Sequence, residues 1–445
     1  MPNLFELLTR RRMGRTFLIL LVPGIALKRW LALGALGAAA ISLGILFALQ
    51  ISLWPGFTSL AETVSLRGEP SIVRAGVFIA AGLLISFAAV IYLAKSLTTI
   101  RLRRRHWRLL DSLYIERVLA AGPKVVVVGG GSGLPTLLRG LKQMTSNITA
   151  VVTVADDGGS SGRLRSELGI LPPGDIRNCL VALADSEDVM QRLMDYRFTS
   201  NGQLNGHSFG NMLIAALAGI GGDFYHGVEI AGELLAIRGR VIPSTAVDVT
   251  LVASTVTGHR LIGESRVGAA KDPLRSLALL PADAEAHPYA AQAIEDADLI
   301  ILGPGSLFTS IVPNLLVRGI AAAVTRSNAL KMYVCNVVGE PGQTMGYSVL
   351  DHLNIIRHYL GPTTVSIVLA NDNGRSNSAT ERLNIVEVSQ PWQDQTICIE
   401  ADIADAENPA RHDPDKLATA VAEAYHSHRG GRRRLPPLWR GSFGG

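Results

Sequence analysis

The chain has 445 residues, 48% of them hydrophobic, which is ample for a sizeable core and by length alone suggests two or three domains. The formal net charge of +5 is unevenly placed: over residues 120–428, 22 Lys+Arg minus 32 Asp+Glu gives −10, so no basic stripe marks that part for nucleic acid. Cys179, Cys335 and Cys398 lack CxxC spacing and exclude a disulfide framework or a zinc cluster.

Residues 1–30 are a basic segment carrying Arg10, Arg11, Arg12, Arg15, Lys28 and Arg29. Its apolar stretch Phe17–Leu27 is too short to span a bilayer and reads either as an interfacial helix or as a lead-in. Leu31–Leu53 and Ala75–Ala94 contain no charged side chain. Each matches the roughly 20 helical residues that cross an apolar layer of about 30 Å. Residues 31–94 are therefore predicted as a two-helix transmembrane hairpin, with Gly34, Gly37 and Ala38–Ala40 small enough for close helix contact. Trp54–Ser71 is the expected outside loop. It carries Arg67 alone, with Arg74 at the edge of the second run, whereas Lys95, Arg101, Arg103, Arg104, Arg105 and Arg108 follow that run. This asymmetry predicts that both ends, and the large domain, are cytoplasmic. Residues 95–122 are a basic juxtamembrane linker.

From residue 123 to 428, strand-like and helix-like segments alternate. Lys124–Val128, Ile148–Val154, Leu299–Leu302, Met332–Cys335 and Val365–Leu369 are short apolar runs ending near Gly, Asn or Pro. Leu134–Met144, Asp175–Leu183 and Phe209–Ala218 have helical periodicity. The pattern predicts a Rossmann-like α/β domain, a mostly parallel sheet with helices on both faces. Asp248–Val267, rich in Val and Thr around Gly258-His259, reads as an inserted β-hairpin. Residues 429–445, rich in Gly, Arg and Pro, read as a disordered basic tail.

Open α/β sheets bind ligands at the carboxyl ends of their strands, and the motifs fall there. Gly130, Gly131, Ser132 and Gly133 follow the first strand, with Pro135 where a helix begins. Glycines admit a phosphate close to the backbone, and a helix start favours an anion. Neither the third glycine of the dinucleotide fingerprint nor the P-loop lysine is present. After the second strand, Asp156 and Asp157 precede Ser160, Ser161 and Arg163. The carboxylates are candidate Mg²⁺ ligands, and no other cofactor is expected; the arginine and loop N–H groups are candidates for phosphate. Asp175 follows Pro172-Pro173-Gly174 and reads as a helix N-cap, with Arg177 and Asn178 in the first turn facing a ligand. His207, Ser208 and Asn211 stand at another helix start, where the histidine can bind phosphate or act as acid/base. Gly303, Gly305 and Ser306 form a further cradle, with Thr309 and Ser310 nearby. The loop 336–344 follows the next strand.

Taken together, GGGSGL, TVADDGGSSGRLR, PPGDIRNCL, HSFGN, GPGSLFTS and Arg411-His412-Asp413 resemble, in order over about residues 123–427, one family. It is the gluconeogenesis-factor (YvcK-like) branch of the 2-phospho-L-lactate transferase (CofD-like) family. The resemblance implies a Rossmann-related fold and, in the transferase branch, transfer of a phospholactyl group from a guanylyl donor to a deazaflavin precursor. In the nearer branch it implies UDP-sugar binding and a role in envelope growth and cell shape, with no assigned reaction. Ser132 stands where the family has Thr, and Asn336–Thr344 departs from the family's NLMTQPGET-like loop.

Two functions are therefore expected. One is a membrane-anchored nucleotide-sugar-binding regulator linked to carbon metabolism, acting as a homo-oligomer with a protein partner. The other is a Mg²⁺-dependent transferase in which Asp156, Asp157 and His207 are catalytic. Arg163 is expected to grip the ligand most strongly, with Arg411 second, just before an Asp413-Pro414 helix start.

Overall fold

The computed structural model describes residues 27–48, 70–98, 116–185, 187–199, 201–202, 204–372, 384–389 and 391–428. The expectations for the basic segment before residue 27, the Trp54–Ser71 loop over 54–69, the linker over 99–115 and the tail over 429–445 lie outside them. The described chain forms two compact units that divide at Arg117/Val118.

The first unit is a helix pair, α1 (Leu27–Ala48) and α2 (Ser71–Thr98). Glycine allows the backbones to touch. A Cβ at Gly37 would lie 2.9 Å from the Gly82 carbonyl, and one at Gly82 would lie 2.7 Å from that of Gly37. Leu36, Leu84 and Phe87 point away from this seam and are exposed. Among the described residues no helix is long and apolar enough to cross a membrane. The two expected transmembrane helices are thus not shown.

The second unit is built on a seven-stranded sheet in which every pairing is parallel. Its strands are β1 (Val125–Gly129), β2 (Ile148–Val152), β3 (Arg240–Pro243), β7 (Leu299–Leu302), β8 (Leu330–Val334), β9 (Ile367–Asn371) and β10 (Ile397–Ala401). Their order is β10-β9-β8-β7-β1-β2-β3. All residues of β1, β2 and β7 are buried. Alternate strand residues face opposite sides, so both faces of the sheet are covered, and continuous Val and Leu/Ile runs follow. Each such side chain stabilises the fold by roughly 1.5–3 kcal/mol.

The helices are α3 (Gly133–Leu141), α4 (Gly159–Leu168), α5 (Gly174–Leu183), α6 (Glu187–Met194), α7 (Phe209–Gly221), α8 (Phe224–Leu234), α9 (Glu264–Gly268), α10 (Pro288–Glu295), α11 (Val312–Leu316), α12 (Ile320–Arg326), α13 (Val349–Leu360) and α14 (Pro414–His428). A π-helical turn, Leu307–Ile311, precedes α11.

The expected hairpin is present as β4 (Thr250–Thr255) and β5 (Arg260–Ile262), but it is part of a larger insert. A third strand, β6 (Leu274–Leu280), pairs antiparallel with β4 over its full length, giving the order β5-β4-β6. Chain order reverses at β1, which has β2 on one side and β7 on the other. The loops after β1 and β7 therefore meet at a switch point.

Candidate functional site

At that switch point the two glycine loops are pressed together. Gly131 is left-handed, at φ +63°. A Cβ on Gly133 would approach the Pro304 carbonyl oxygen to 2.7 Å, and one on Gly305 would lie 3.1 Å from the Gly130 oxygen. Side chains there would force the loops apart. Ser132 caps α3 through its backbone alone. The first N–H groups of the helix have no intrahelical acceptor.

Asp175 fixes the first loop from below. Its Oδ2 accepts from the Gly131 N–H at 2.7 Å, across 44 residues of sequence. This corrects its reading as a cap: Pro173 occupies the N-cap of α5. Burial, with the charge of Asp156 adding to it against the Gly131 hydrogen bond, pushes the Asp175 carboxyl up to about 6. Glu264, at the start of α9, is pushed up to about 7, by burial first and then by Asp156, with Asp175 and Asp157 contributing.

The loops open onto a cavity of about 460 Å³. Of the predicted residues, Gly131, Ser132, Gly133, Asn178, Gly305, Ser306 and Arg411 line it, and Gly130, Gly303 and Asp175 support that lining. Two of the amides that line it, Asn178 and Asn336, present their donor ends. Asn178 Oδ1 accepts from Arg177 Nη2 at 2.8 Å, and Asn336 Oδ1 accepts from the Gly305 N–H at 3.3 Å. An arginine and a backbone N–H can only donate, so both amide oxygens are committed and the NH₂ groups remain for a ligand. Arg139, Thr309 and Ser310 add a cation and two hydroxyls, and Asp195, Glu264 and Glu340 add acids. His412 also lines the cavity. Burial depresses its pKa to about 4, against the opposing contact with the Cys335 carbonyl, from which its Nε2 lies 3.1 Å. It is neutral at ordinary pH.

The other predicted residues meet one another rather than the cavity. His207 Nδ1 lies 3.1 Å from Ser160 Oγ. Ser208 caps α7 by accepting from the Asn211 N–H, and Arg177 Nη1 donates to both Ser208 Oγ (2.8 Å) and Asn211 Oδ1 (3.3 Å). Asn211 Nδ2 reaches Ser161 Oγ at 3.4 Å. Arg177 is buried and pairs with Asp195, so it organises three helices instead of facing a ligand as expected. Arg163 donates to the Asn205 carbonyl at 2.8 Å. Asp157 Oδ1 accepts from the Ser265 N–H (2.9 Å) and hydroxyl (2.7 Å), tying the second loop to the insert. Asp156 Oδ1 accepts from Gly158 N at 2.8 Å. Asp413 caps α14, accepting from the Asp415 and Lys416 N–H groups, each at 2.9 Å.

Among the described residues no group of three or more His, Cys, Asp or Glu is arranged to hold a metal. Neither Asp156 nor Asp157 lines the cavity, and Asp157 is committed to Ser265, which leaves Asp156 as the one carboxylate of this pair that a cation would take. Sequence reading missed Arg139, Asp195 and Glu264. Glu264 belongs to the insert, and no local motif announces that the insert folds back onto Asp156.

The family model described as "2-phospho-L-lactate transferase CofD" matches residues 125–408. The chain is 46% identical over 341 residues to a protein of Nostoc sp. PCC 7120 named "Putative gluconeogenesis factor", covering 76% of this chain and 74% of that one. It is 45% identical over 249 residues to the "Gluconeogenesis factor" of Bacillus subtilis, covering 56% and 78%. The crystal structure of protein BH3568 from Bacillus halodurans superposes with a TM-score of 0.64 at 40% identity, covering 67% of this chain and 99% of that one.

Proposed function

We infer, from the premise that this chain belongs to the gluconeogenesis-factor branch of the 2-phospho-L-lactate transferase CofD family, that its cavity binds a UDP-sugar by the diphosphate. The carrying observation is the convergence of two glycine loops, two donor-fixed amides and Arg139 and Arg411 on one cavity. Donors and cations of that kind suit an anion with several acceptor oxygens. A volume of about 460 Å³ suits one small ligand. Titration calorimetry of the full-length protein with UDP-glucose, GDP-glucose and NAD tests the reading: UDP-glucose is expected to bind tightest, and no heat with it would refute the assignment.

The proposed role is regulatory, linking carbon metabolism to envelope growth and cell shape at the membrane, through a homo-oligomer and a protein partner. The candidate acid/base His207 packs on Ser160 and does not line the cavity, which supports binding without turnover. The uncharged runs Leu31–Leu53 and Ala75–Ala94, flanked by Lys and Arg, support an anchor with the large domain cytoplasmic.

One observation favours the transferase as a second reading: the charge of Asp156 adds to burial in raising the proton affinity of Asp175 and Glu264, and Asp175 holds the first glycine loop. A Mg²⁺ on Asp156 and the phosphates would neutralise the diphosphate and stabilise a departing phosphate oxygen. Product analysis with Mg²⁺, UDP-sugars and a guanylyl phospholactate donor decides between them. Turnover lost in Asp156→Asn with ligand binding retained would establish the transferase.

A further inference from the structure

The loop after β8, residues 336–344, forms one wall of the cavity through Asn336, Val337, Val338 and Glu340. It is rigidly built. Glu340 N donates to Thr344 Oγ1 at 3.0 Å, and its carbonyl accepts from Gln343 N (3.1 Å) and Thr344 N (3.0 Å). At Gly342, φ +72°, a Cβ would overlap the Ala270 carbonyl, so the loop is seated against the insert.

Within this wall the Glu340 carboxyl has an unmet requirement. Its Oε2 is buried and has no hydrogen-bond partner. The Ser306 hydroxyl hydrogen-bonds the Glu340 carboxyl and also reaches Gln343 Oε1 at 3.0 Å, and its single proton cannot serve both, so Oε2 keeps no partner of its own. Native structures seldom leave a buried carboxyl oxygen unpaired, and such exceptions mark functional positions. Glu340 lines the cavity, so a donor on a bound ligand would meet this need after a small turn of the carboxyl. Ser306 belongs to the second glycine loop, so the carboxyl stands beside the diphosphate cradle. In a nucleotide sugar the groups directly flanking the diphosphate are sugars rather than the base.

We propose that Glu340 is a further ligand-binding residue, accepting a hydrogen bond from a sugar hydroxyl next to the diphosphate. This rests on the nucleotide-sugar reading above. An acceptor that phosphate cannot satisfy makes the wall a selector: a bare diphosphate fills the cradle but leaves Oε2 unpaired, whereas a sugar-bearing ligand satisfies both.

The test compares UDP-glucose, UDP and pyrophosphate on full-length wild-type and Glu340→Ala protein by titration calorimetry, with melting temperatures measured alongside. Glu340→Ala is expected to weaken UDP-glucose about 10–30-fold and to leave pyrophosphate within about threefold. Glu340→Gln, which keeps an acceptor oxygen, retains most of the affinity. Loss with UDP as well assigns the hydroxyl to the ribose, and loss with UDP-glucose alone assigns it to the transferred sugar. Unchanged UDP-glucose affinity, or an equal loss for pyrophosphate, overturns the proposal. If alanine lowers the melting temperature, Glu340→Met, which keeps volume without an acceptor, is used instead. Wild-type protein that ignores UDP-glucose would overturn the ligand reading and Glu340 with it; binding that survives the substitution overturns Glu340 alone.

Discussion

Carboxyls whose proton affinity is raised by burial and by neighbouring carboxylates make the fold sensitive to pH. Asp175 and Glu264, pushed up to about 6 and about 7, hold their protons to higher pH folded than unfolded. The folded state therefore binds more protons over roughly pH 4 to 7. This contribution is complete below about pH 4 and is lost as pH rises through that window. His412, depressed to about 4, acts oppositely: its contribution is present above about pH 6.5 and is lost as pH falls toward 4. The two partly cancel, so the informative quantity is a difference between variants. Glu264→Gln keeps the shape and removes the charge. It is expected to be roughly 1–2 kcal/mol more stable than wild type at pH 8 and equal to it at pH 4, discounting for partial exposure. Denaturant melts at the two pH values check this, and a difference that does not grow with pH would refute it.

At the same scale, Arg163 and Arg411 exchange the importance their motifs suggested. Arg163 holds the Asn205 carbonyl, while Arg411 lines the cavity. Arg411→Ala is expected to weaken UDP-glucose by roughly 1.5–3 kcal/mol, as for a charge-assisted hydrogen bond, and Arg163→Ala by under about 0.6 kcal/mol. Calorimetry with the two ranked in reverse would return the site to the second loop. Such roles were hidden because Asp175 to Gly131, Asp157 to Ser265 and Asn336 to Gly305 are contacts between distant segments. Residue type and local spacing specify a cap or a loop; only the fold says which backbone group a carboxylate reaches.

The strands legible in the sequence are those buried on both faces. Leu299–Leu302 has the bounds expected, and β1 and β2 lie within a residue or two of theirs because a parallel central strand must be a continuous apolar run. β3 is four residues with Arg240 exposed and Pro243 at its end, and β10 is an edge strand with half-exposed residues; neither carries that signature. β6 carries no such run of buried residues, since Leu279 alone of its seven is buried. The glycine loops were legible since their chemistry is local, but their contact is not. Gly133 packs on Pro304 with no room for a methyl group. Gly133→Ala is thus expected to separate the loops, costing about 1–3 kcal/mol of stability as overpacking does. Ligand affinity should fall at least tenfold. Gly219→Ala, in α7 with nothing near its Cβ position, is the control and should leave affinity unchanged and stability unchanged or higher by up to about 1 kcal/mol. Equal behaviour of the two variants in thermal melts and titrations would show that the loops need not touch.

At the scale of the whole molecule the issue is what covers the apolar surface of the helix pair. Leu36, Ile72, Leu84 and Phe87 are exposed on α1 and α2, far more apolar area than isolated surface residues explain. The seam between the helices is already filled through Gly37, Gly44 and Gly82, so the exposed side chains belong to an outer face. Lipid or another protein surface can cover it. Charge favours lipid: each outer end of the uncharged runs carries six Lys or Arg, whereas the connecting stretch has Arg67, with Arg74 at its edge. A protein–protein face needs no such asymmetry. The full chain is expected to sediment with membranes, to resist alkaline carbonate and to require detergent for release. A reporter fused at residue 110 should read as cytoplasmic. Extraction by carbonate as a defined oligomer would assign the face to a second copy or a partner and remove the anchor. An extracytoplasmic reporter signal at residue 110, with the chain still membrane-bound, would instead keep the anchor and reverse its orientation, separating the domain from any cytoplasmic nucleotide sugar.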